Sequence, residues 1–339
     1  MPTPPHGLPD STVEWLLDTD PALRWQVERD LLGAPREQWE ATRARVGHEG
    51  MGADLIGRQD PDGQWAGGAY FPAGFFEDEE ARDAPGQPYT ATTWSLTTLR
   101  EWGASPADLR RPNTAALLEQ NARWEYENLP YWDGEVDVCI NGWTLLNGIW
   151  LGRDMSDLAA WFPEHQLADG GWNCEWVEGA RTSSVHSTMN AVKALLEYEL
   201  RTGDVSMRPV RHRGEEYLLE RRLLRRRRDG ELIGPWVVNM TYPMRWAYSA
   251  LNALDHFRAA SIADGAPPDP RIRDAIDLLR SEREADGCLR QGVVAPGAVW
   301  FPIDVAEGEP SPWVTFLAAR ILAWWDASGA APSTLSEPG

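Results

Sequence analysis

Basic charge is scarce in this sequence, and lysine is almost absent. Only one of the 339 residues is a lysine, Lys193, and the 32 basic residues stand against 52 acidic ones, giving a formal net charge of −20. A field of this sign repels phosphate backbones. We therefore expect no nucleic-acid partner.

Long apolar runs and cysteines are also few. No apolar run reaches the roughly 18–20 residues that span a bilayer, so we expect no transmembrane segment. The Pro-rich stretch 1–10 has neither the basic nor the apolar region of a secretory signal. The three cysteines, Cys139, Cys174 and Cys288, cannot all pair within one chain, which favours a reducing compartment. These features predict a cytoplasmic protein.

Tryptophan is the residue in excess, with 19 among the 339 residues. The chain is otherwise globular in composition, with 42% hydrophobic and 25% charged residues, and it is long enough for one large core or two smaller ones. Trp offers a large, rigid apolar face with a π quadrupole. It can pack repeated helices together, bind apolar ligands or stabilise cations.

A short repeat contains two of these tryptophans. Segments 59–65 and 166–172 both read Gln-x-x-x-Gly-x-Trp, and a degenerate copy at 285–289 keeps the Asp-Gly step without the Trp. The Asp-Gly step is a turn signal. Five segments that begin with small and polar residues carry leucines at three- and four-residue offsets, which predicts helices. They lie at 89–96, 139–146, 184–191, 244–251 and 311–317.

This pattern predicts an all-α protein with no run of alternating strands. Residues 1–49 lack the repeat and are expected to form an N-terminal helical flank that seals the array. Residues 50–326 then form the main domain, and the Ala-, Ser- and Pro-rich segment 327–339 is expected to be a disordered tail.

The repeat resembles the QW motif of the superfamily of terpene cyclases, squalene cyclases among them, and protein prenyltransferase β-subunits. Two good copies, the spaced helices and the Trp excess carry this resemblance over roughly residues 50–325. It implies an α/α toroid, an α6/α6-type barrel with inner and outer rings of helices around an apolar cavity. Because the superfamily includes non-enzymatic members, the fold alone does not decide the activity.

A zinc site is the sharpest functional expectation from this resemblance. Asp137, Cys139 and His186 match the Asp-x-Cys and the histidine that hold zinc in prenyltransferase β-subunits. A carboxylate, a thiolate and an imidazole suit Zn²⁺, and a helix N-terminus would lower the pKa of the Cys139 thiol. Cys174 lies between them in the chain. It is either a fourth ligand, which closes the site or is itself displaceable, or it lies outside the site. The alternative is that both cysteines are small buried hydrophobes and His186 is a hydrogen-bonded core residue.

Asp137 also supports a second chemistry. Class II terpene cyclases carry Asp-x-Asp-Asp at the start of an inner helix, and the middle Asp is the general acid that protonates an alkene. Here the string is Glu135-Val136-Asp137-Val138, so only Asp137 matches. The missing final Asp counts against cyclase activity.

Substrate-binding residues are expected where the resemblance places the cavity. Trp94, Trp143, Trp246 and Trp313 are candidates for contact with an apolar chain or a cation, with packing between helices as the alternative. Arg245, at the predicted start of an inner helix, is a candidate for a diphosphate or carboxylate, with a structural salt bridge as the alternative.

Three functions stay open from the sequence. The leading one is a prenyltransferase-like protein that binds Zn²⁺ and transfers a prenyl or similar hydrophobic group to a thiol. A true protein prenyltransferase needs a partner subunit, and its diphosphate-binding Arg/Lys cluster is not evident here. The second is a class II-like terpene cyclase with Asp137 as the acid, acting on an isoprenoid-like small molecule. The third is a non-catalytic toroid that binds a lipid or a protein and holds structural zinc.

Overall fold

The computed structural model describes residues 7–329, which form an all-α protein as predicted. Within this range there are fourteen α-helices and isolated bridges but no β-strand. The first seven helices are α1 (Asp10–Leu17), α2 (Pro21–Asp30), α3 (Arg36–Ala44), α4 (Gly50–Gly57), α5 (Glu79–Asp83), α6 (Thr92–Trp102) and α7 (Thr114–Asn121). The other seven are α8 (Val138–Trp150), α9 (Ser156–Glu164), α10 (Val185–Thr202), α11 (Arg208–Leu219), α12 (Ala250–Asp264), α13 (Arg273–Ser281) and α14 (Pro312–Ala327). Short 3₁₀ helices lie at Pro106–Asp108, Tyr131–Asp133, Cys174–Glu178, Pro235–Val238 and Pro270–Ile272.

Six helices contact one another in a closed series. Helix α6 contacts α8, α8 contacts α10, α10 contacts α12, α12 contacts α14, and α14 contacts α2. The series closes because the Trp25 indole N–H of α2 donates to the Trp102 carbonyl at the end of α6, at 2.8 Å. Helices α9, α11 and α13 pack against members of the series. The space inside the series is the largest cavity described below.

The glutamines of the repeat fold the two turns in the same way. Gln59 Nε2 donates to the Gly63 carbonyl at 3.1 Å, and Gln166 Nε2 donates to the Gly170 carbonyl at 2.7 Å. Both glycines adopt positive φ, 92° and 96° respectively. Since L side chains rarely adopt this conformation, each turn requires its glycine.

The tryptophans of the repeat anchor each turn to the next helix of the series. Trp65 and Trp172 are completely buried. The backbone N–H of Trp65 donates to Thr92 Oγ1 at 3.1 Å, and that of Trp172 donates to Thr188 Oγ1 at 3.0 Å. Each repeat therefore couples a turn to the first residues of α6 or α10.

The degenerate third copy keeps this coupling without the Trp. The backbone N–H of Leu289 donates to Thr315 Oγ1 at 2.9 Å. Thr315 lies at the start of α14, as Thr188 does in α10. The structural repeat thus extends further than the sequence motif.

All five predicted helical segments contain the start of a helix of the series or lie within one, but in the fifth the helix begins only near the end of the segment. The segment predicted at 244–251 enters α12 only at Ala250, where the Ser249 side chain accepts the backbone N–H of Asn252. Before it, the chain forms the 3₁₀ helix Pro235–Val238 and an irregular loop in which Arg245 has a φ of 53°. This left-handed residue is incompatible with an α-helix starting at 244, so Arg245 and Trp246 lie on a loop.

Helix α2, within the predicted flank, takes part in the closed series. Its Trp25, Gln26 and Arg29 line the central cavity together with residues of α6, α8, α10, α12 and α14. Arg320 of α14 reaches Asp30 at the end of α2 at 3.0 Å. Contacts therefore cross the predicted boundary between residues 49 and 50. Of the predicted tail, residues 330–339 lie outside the described residues, and no helix among residues 7–329 has the length and apolarity to cross a bilayer.

Candidate metal centre and central cavity

Local structure brings Asp137 and Cys174 to the start of α8. Asp137 is the N-cap of α8, and its Oδ1 accepts the backbone N–H of Cys139 at 2.9 Å. Cys174 follows the second Gln-x-x-x-Gly-x-Trp turn and opens the 3₁₀ helix Cys174–Glu178, which the side chain of Asn173 caps. The turn that ends in Trp172 therefore delivers Cys174 to the carboxylate.

Asp137, Cys139 and Cys174 form one group of possible metal ligands. Their ligand atoms all lie within 4.8 Å of one another. The Cys174 Sγ lies 2.7 Å from Asp137 Oδ1 and 3.5 Å from Cys139 Sγ. All three cysteines of the chain are free thiols, so neither sulfur is committed to a disulfide.

Neighbouring polar groups hold the three side chains in place. Ser187 Oγ donates to Cys174 Sγ at 3.1 Å, and Asn190 Nδ2 donates to Cys139 Sγ at 3.4 Å. Glu135 Oε2 accepts the backbone N–H of Asp137 at 2.7 Å, and burial raises the pKa of this glutamate. Outer partners of this kind fix the orientation of metal ligands.

The thiol of Cys139 differs from the sequence expectation. Its hydrogen bond with Cys174, together with burial, holds the pKa of Cys139 well above its usual range. This direction is opposite to the lowering expected from the helix N-terminus, because a second sulfur and a carboxylate face the thiol and disfavour another negative charge. A bound cation would remove this penalty.

His186 is not part of this group. Its Nδ1 accepts the backbone N–H of Tyr248 at 2.9 Å, and its ring packs against those of Trp236 and Trp246 at centroid distances of 4.5 and 5.4 Å. Burial lowers the pKa of His186, which favours the neutral acceptor form. The structure thus brings Cys174, rather than His186, to Asp137 and Cys139.

The donor set fits a zinc ion after a small adjustment. With Zn–S bonds of about 2.3 Å and tetrahedral angles, two thiolate sulfurs lie about 3.8 Å apart, close to the 3.5 Å between Cys139 and Cys174. The carboxylate oxygen would then lie about 3.6 Å from each sulfur. The 2.7 Å distance between Asp137 Oδ1 and Cys174 Sγ must therefore lengthen by about 0.9 Å.

A cavity of about 400 Å³ lies inside the closed series of helices. Four of the five predicted substrate-binding residues line it: Trp94, Trp143, Arg245 and Trp313. The fifth, Trp246, does not; 36% of its surface is exposed and its ring packs on His186.

The cavity has an aromatic part and a charged part. Trp94, Trp143 and Trp313 lie in the first halves of α6, α8 and α14, whereas the fourth tryptophan of the wall, Trp25 of α2, lies under the guanidinium groups of arginines. Ion pairs lie further along the same series, with Arg100 bound to Glu197 at 2.5 Å and Arg320 bound to Asp255 at 2.7 Å. An apolar cavity, as the resemblance implies, therefore describes only part of this space.

The group of possible metal ligands lies behind the wall of the cavity, with one side chain between Cys139 and the cavity. Asn190 lines the cavity and also donates to Cys139 Sγ. Tyr70, which sequence reasoning missed, lies 5.0 Å from the Trp94 ring, and burial raises its pKa, with Asp137 and Cys139 adding to this rise. Tyr70 follows the first Gln-x-x-x-Gly-x-Trp turn by five residues, in a loop without periodicity, so no pattern marked it.

Comparisons with known proteins add structural matches only. No family model and no curated protein matches the chain. A protein from Actinoplanes aligns with a TM-score of 0.44 at 16% identity, over 94% of this chain and 99% of that chain. The type II terpene cyclase MstE from Scytonema aligns with a TM-score of 0.32 at 14% identity, over 92% of this chain and 74% of its own.

A variant of MstE in complex with its substrate, geranylgeranyl dihydroxybenzoate, aligns with a TM-score of 0.31 at 12% identity, over 92% of this chain and 73% of that chain. The chain thus has structural matches to a type II terpene cyclase over more than nine-tenths of its length. At these scores and identities the matches assign no activity.

Proposed function

We propose that the chain is an α/α toroid that holds Zn²⁺ with Asp137, Cys139 and Cys174 and transfers a prenyl or similar hydrophobic group to a thiol. The observation that carries this proposal is the convergence of one carboxylate and two sulfurs within 4.8 Å, next to a partly aromatic cavity of about 400 Å³. The closed series of six helices supports the toroid.

The ligand set leaves room for a substrate. Three protein ligands are the usual number in catalytic zinc sites, whose fourth position stays open. When bound, zinc supplies Lewis-acid stabilisation of a thiolate at neutral pH. Asn190 spans the wall between the sulfur of Cys139 and the cavity. A hydrophobic chain would lie against the rings of Trp94, Trp143 and Trp313.

A class II-like terpene cyclase is the second candidate, because Asp137 keeps one oxygen free. Oδ1 accepts hydrogen bonds from Cys139 N–H and Cys174 Sγ, whereas Oδ2 has no hydrogen-bond partner among the described residues. A proton on Oδ2 would point away from these donors. The rings of Tyr70, Trp94 and Trp143 form one aromatic cluster nearby, suited to a carbocation.

One experiment separates these candidates. Purified protein is assayed for zinc and then incubated with geranylgeranyl diphosphate, with and without a thiol acceptor and with and without a chelator. Thiol transfer predicts about one zinc per chain and activity that the chelator and Cys174→Ser both abolish. Cys288→Ser is the matched control, since Cys288 is buried but lies outside the metal group.

The other outcomes have distinct signatures. Cyclisation that survives the chelator but not Asp137→Asn would establish the cyclase and overturn thiol transfer. Zinc without turnover of any prenyl substrate would leave the non-catalytic toroid with structural zinc. Absence of zinc from protein purified without chelator would contradict the metal site itself. A partner subunit and a cytoplasmic location stay predictions.

A further inference from the structure

Arg245 is a cation without an anion. Within the described chain it makes no hydrogen bond and no ion pair within 4.0 Å, whereas Arg100 and Arg320 on the same cavity wall are both paired with carboxylates. Its guanidinium instead lies over the Tyr89 ring, 4.1 Å from the centroid. A structural salt bridge, the alternative from the sequence, is therefore not what holds Arg245 in place.

The backbone of Arg245 is strained in the same place. Its φ of 53° lies in the left-handed region, which is uncommon for a residue with a long side chain. Burial also lowers the pKa of Arg245 to about 10, because the charged form is poorly solvated there. Strain and an uncompensated charge at one residue are typical of binding sites whose ligand supplies the missing interaction.

A second unpaired donor lies beside it. Trp94 is only 2% exposed, and its indole Nε1 has no hydrogen-bond partner. The Arg245 guanidinium lies 6.0 Å from the centroid of the Trp94 ring, and both residues line the central cavity. Buried N–H groups in folded proteins almost always have an acceptor. Here the acceptor is missing, in a residue that belongs to the cavity wall.

The charge of the cavity points to the same kind of ligand. Its wall contains seven basic and three acidic residues, although the whole chain has a net charge of −20. The acid that acts on Arg245 is Glu101, which lies beyond ion-pair distance. A positive cavity in an acidic protein attracts and retains anions.

We infer that the ligand of the cavity carries an oxyanion, a carboxylate or a phosphate, which the Arg245 guanidinium and the Trp94 indole N–H bind together. The hydrophobic remainder of the ligand would extend along Trp143 and Trp313. This inference rests on the proposed function in one respect, namely that the cavity takes a hydrophobic small molecule. It adds the polar group by which that molecule is recognised.

The test compares three probes with the same hydrocarbon chain: farnesol, farnesoate and farnesyl diphosphate. Binding is measured by calorimetry on the full chain. We expect at least one of the two anions to bind at least tenfold more tightly than the alcohol. Arg245→Met should remove this preference while leaving the affinity for farnesol within about twofold. Comparison of farnesoate with the diphosphate identifies which oxyanion fits.

Two further variants guard against a merely structural effect. Trp94→Phe keeps an aromatic ring, although a smaller one, and removes the N–H; it should reduce the preference for the anion several-fold. Arg201→Gln is the matched control, because Arg201 lines the cavity but is paired with Glu197 at 2.7 Å; it should keep the preference.

A thermal readout without ligand completes the test. Because the charge of Arg245 is uncompensated in the free protein, Arg245→Met should raise the melting temperature. A residue with a structural role would lower it. Equal binding of alcohol and anions by the unmodified protein would overturn the inference and leave the hydrophobic cavity intact. If no probe binds, the proposed hydrophobic ligand fails as well.

Discussion

Among residues 7–329, two groups of titratable side chains have the spacing of metal ligands, and they differ in one respect. Asp137, Cys139 and Cys174 lie together without a basic side chain within ion-pair distance among the described residues. His212, Glu215 and Asp264 also converge within 4.8 Å. There, however, a cation is already present.

That cation is Arg211, whose side chain is completely buried. It donates to Glu215 at 2.7 Å and to Asp264 at 2.6 Å, and it also reaches Glu199 at 3.4 Å. Burial lowers its pKa, but the hydrogen bonds and charges of Asp264 and Glu215 outweigh burial and raise it. A metal ion would have to displace or approach this guanidinium. Spacing alone therefore does not define a metal site; the charge balance of the group decides.

The sharpest way to test the contrast is to remove Arg211. Arg211→Met removes the buried guanidinium from three carboxylates, two of which keep contacts with the partly exposed Arg208. Breaking a buried charge network typically costs about 3–5 kcal/mol. We expect the free energy of unfolding, measured with urea, to fall by about this amount. Arg208→Met is the comparison variant within the same network, because Arg208 also contacts Glu199 and Asp264 but is partly exposed; it should lower the free energy of unfolding by less than Arg211→Met.

The opposite result would remove this difference in charge balance between the two groups. If Arg211→Met unfolds at the same urea concentration as the unmodified protein, the guanidinium does not neutralise the second group. If the variant instead gains a divalent-metal site, the charge balance stands as the deciding factor. A double variant with Asp264→Asn should then recover part of the lost stability.

Zinc should stabilise the folded protein by binding only to the first group, Asp137, Cys139 and Cys174. A ligand that binds the native state alone adds about 2.7 kcal/mol to the free energy of unfolding at one hundred times its dissociation constant. We expect a zinc-dependent rise of this order in the unmodified protein and in Asp264→Asn. Cys139→Ser and Cys174→Ser should lose most of it. A rise that survives both cysteine variants but disappears in Asp264→Asn would reverse the assignment.

The fold was predictable from the sequence where its determinants are local. The turns of residues 59–65 and 166–172 depend on a hydrogen bond from a glutamine to a glycine four residues away, which a short pattern encodes. The degenerate copy was recognisable because its Asp-Gly step persists. The late start of α12 was not predictable, since a left-handed Arg245 is a feature of tertiary packing.

Two members of the candidate metal site were predictable from the sequence, but the third was not. Asp137 and Cys139 follow from a pattern at one helix start. Whether Cys174 or His186 completes the group depends on the direction of the His186 ring. A backbone N–H 62 residues further along the chain, that of Tyr248, sets this direction, and no local pattern reports on it.

The smallest predicted effect concerns His186, the histidine that the sequence placed in the first group. His212 and His256 have carboxylate partners, whereas His186 has only a backbone N–H and aromatic rings. Because burial lowers the pKa of His186 from 6.5, the unfolded chain binds a proton there more readily than the native protein. The contribution of His186 to the free energy of unfolding is therefore fully present above about pH 6.5 and is lost as the pH falls below it.

His186→Asn keeps an acceptor for Tyr248 without a proton-binding site. Thermal unfolding between pH 5 and 8 should show a shallower loss of stability toward acid pH for this variant. Parallel pH profiles for the two proteins would mean that His186 is protonated as easily in the native state as in the unfolded one.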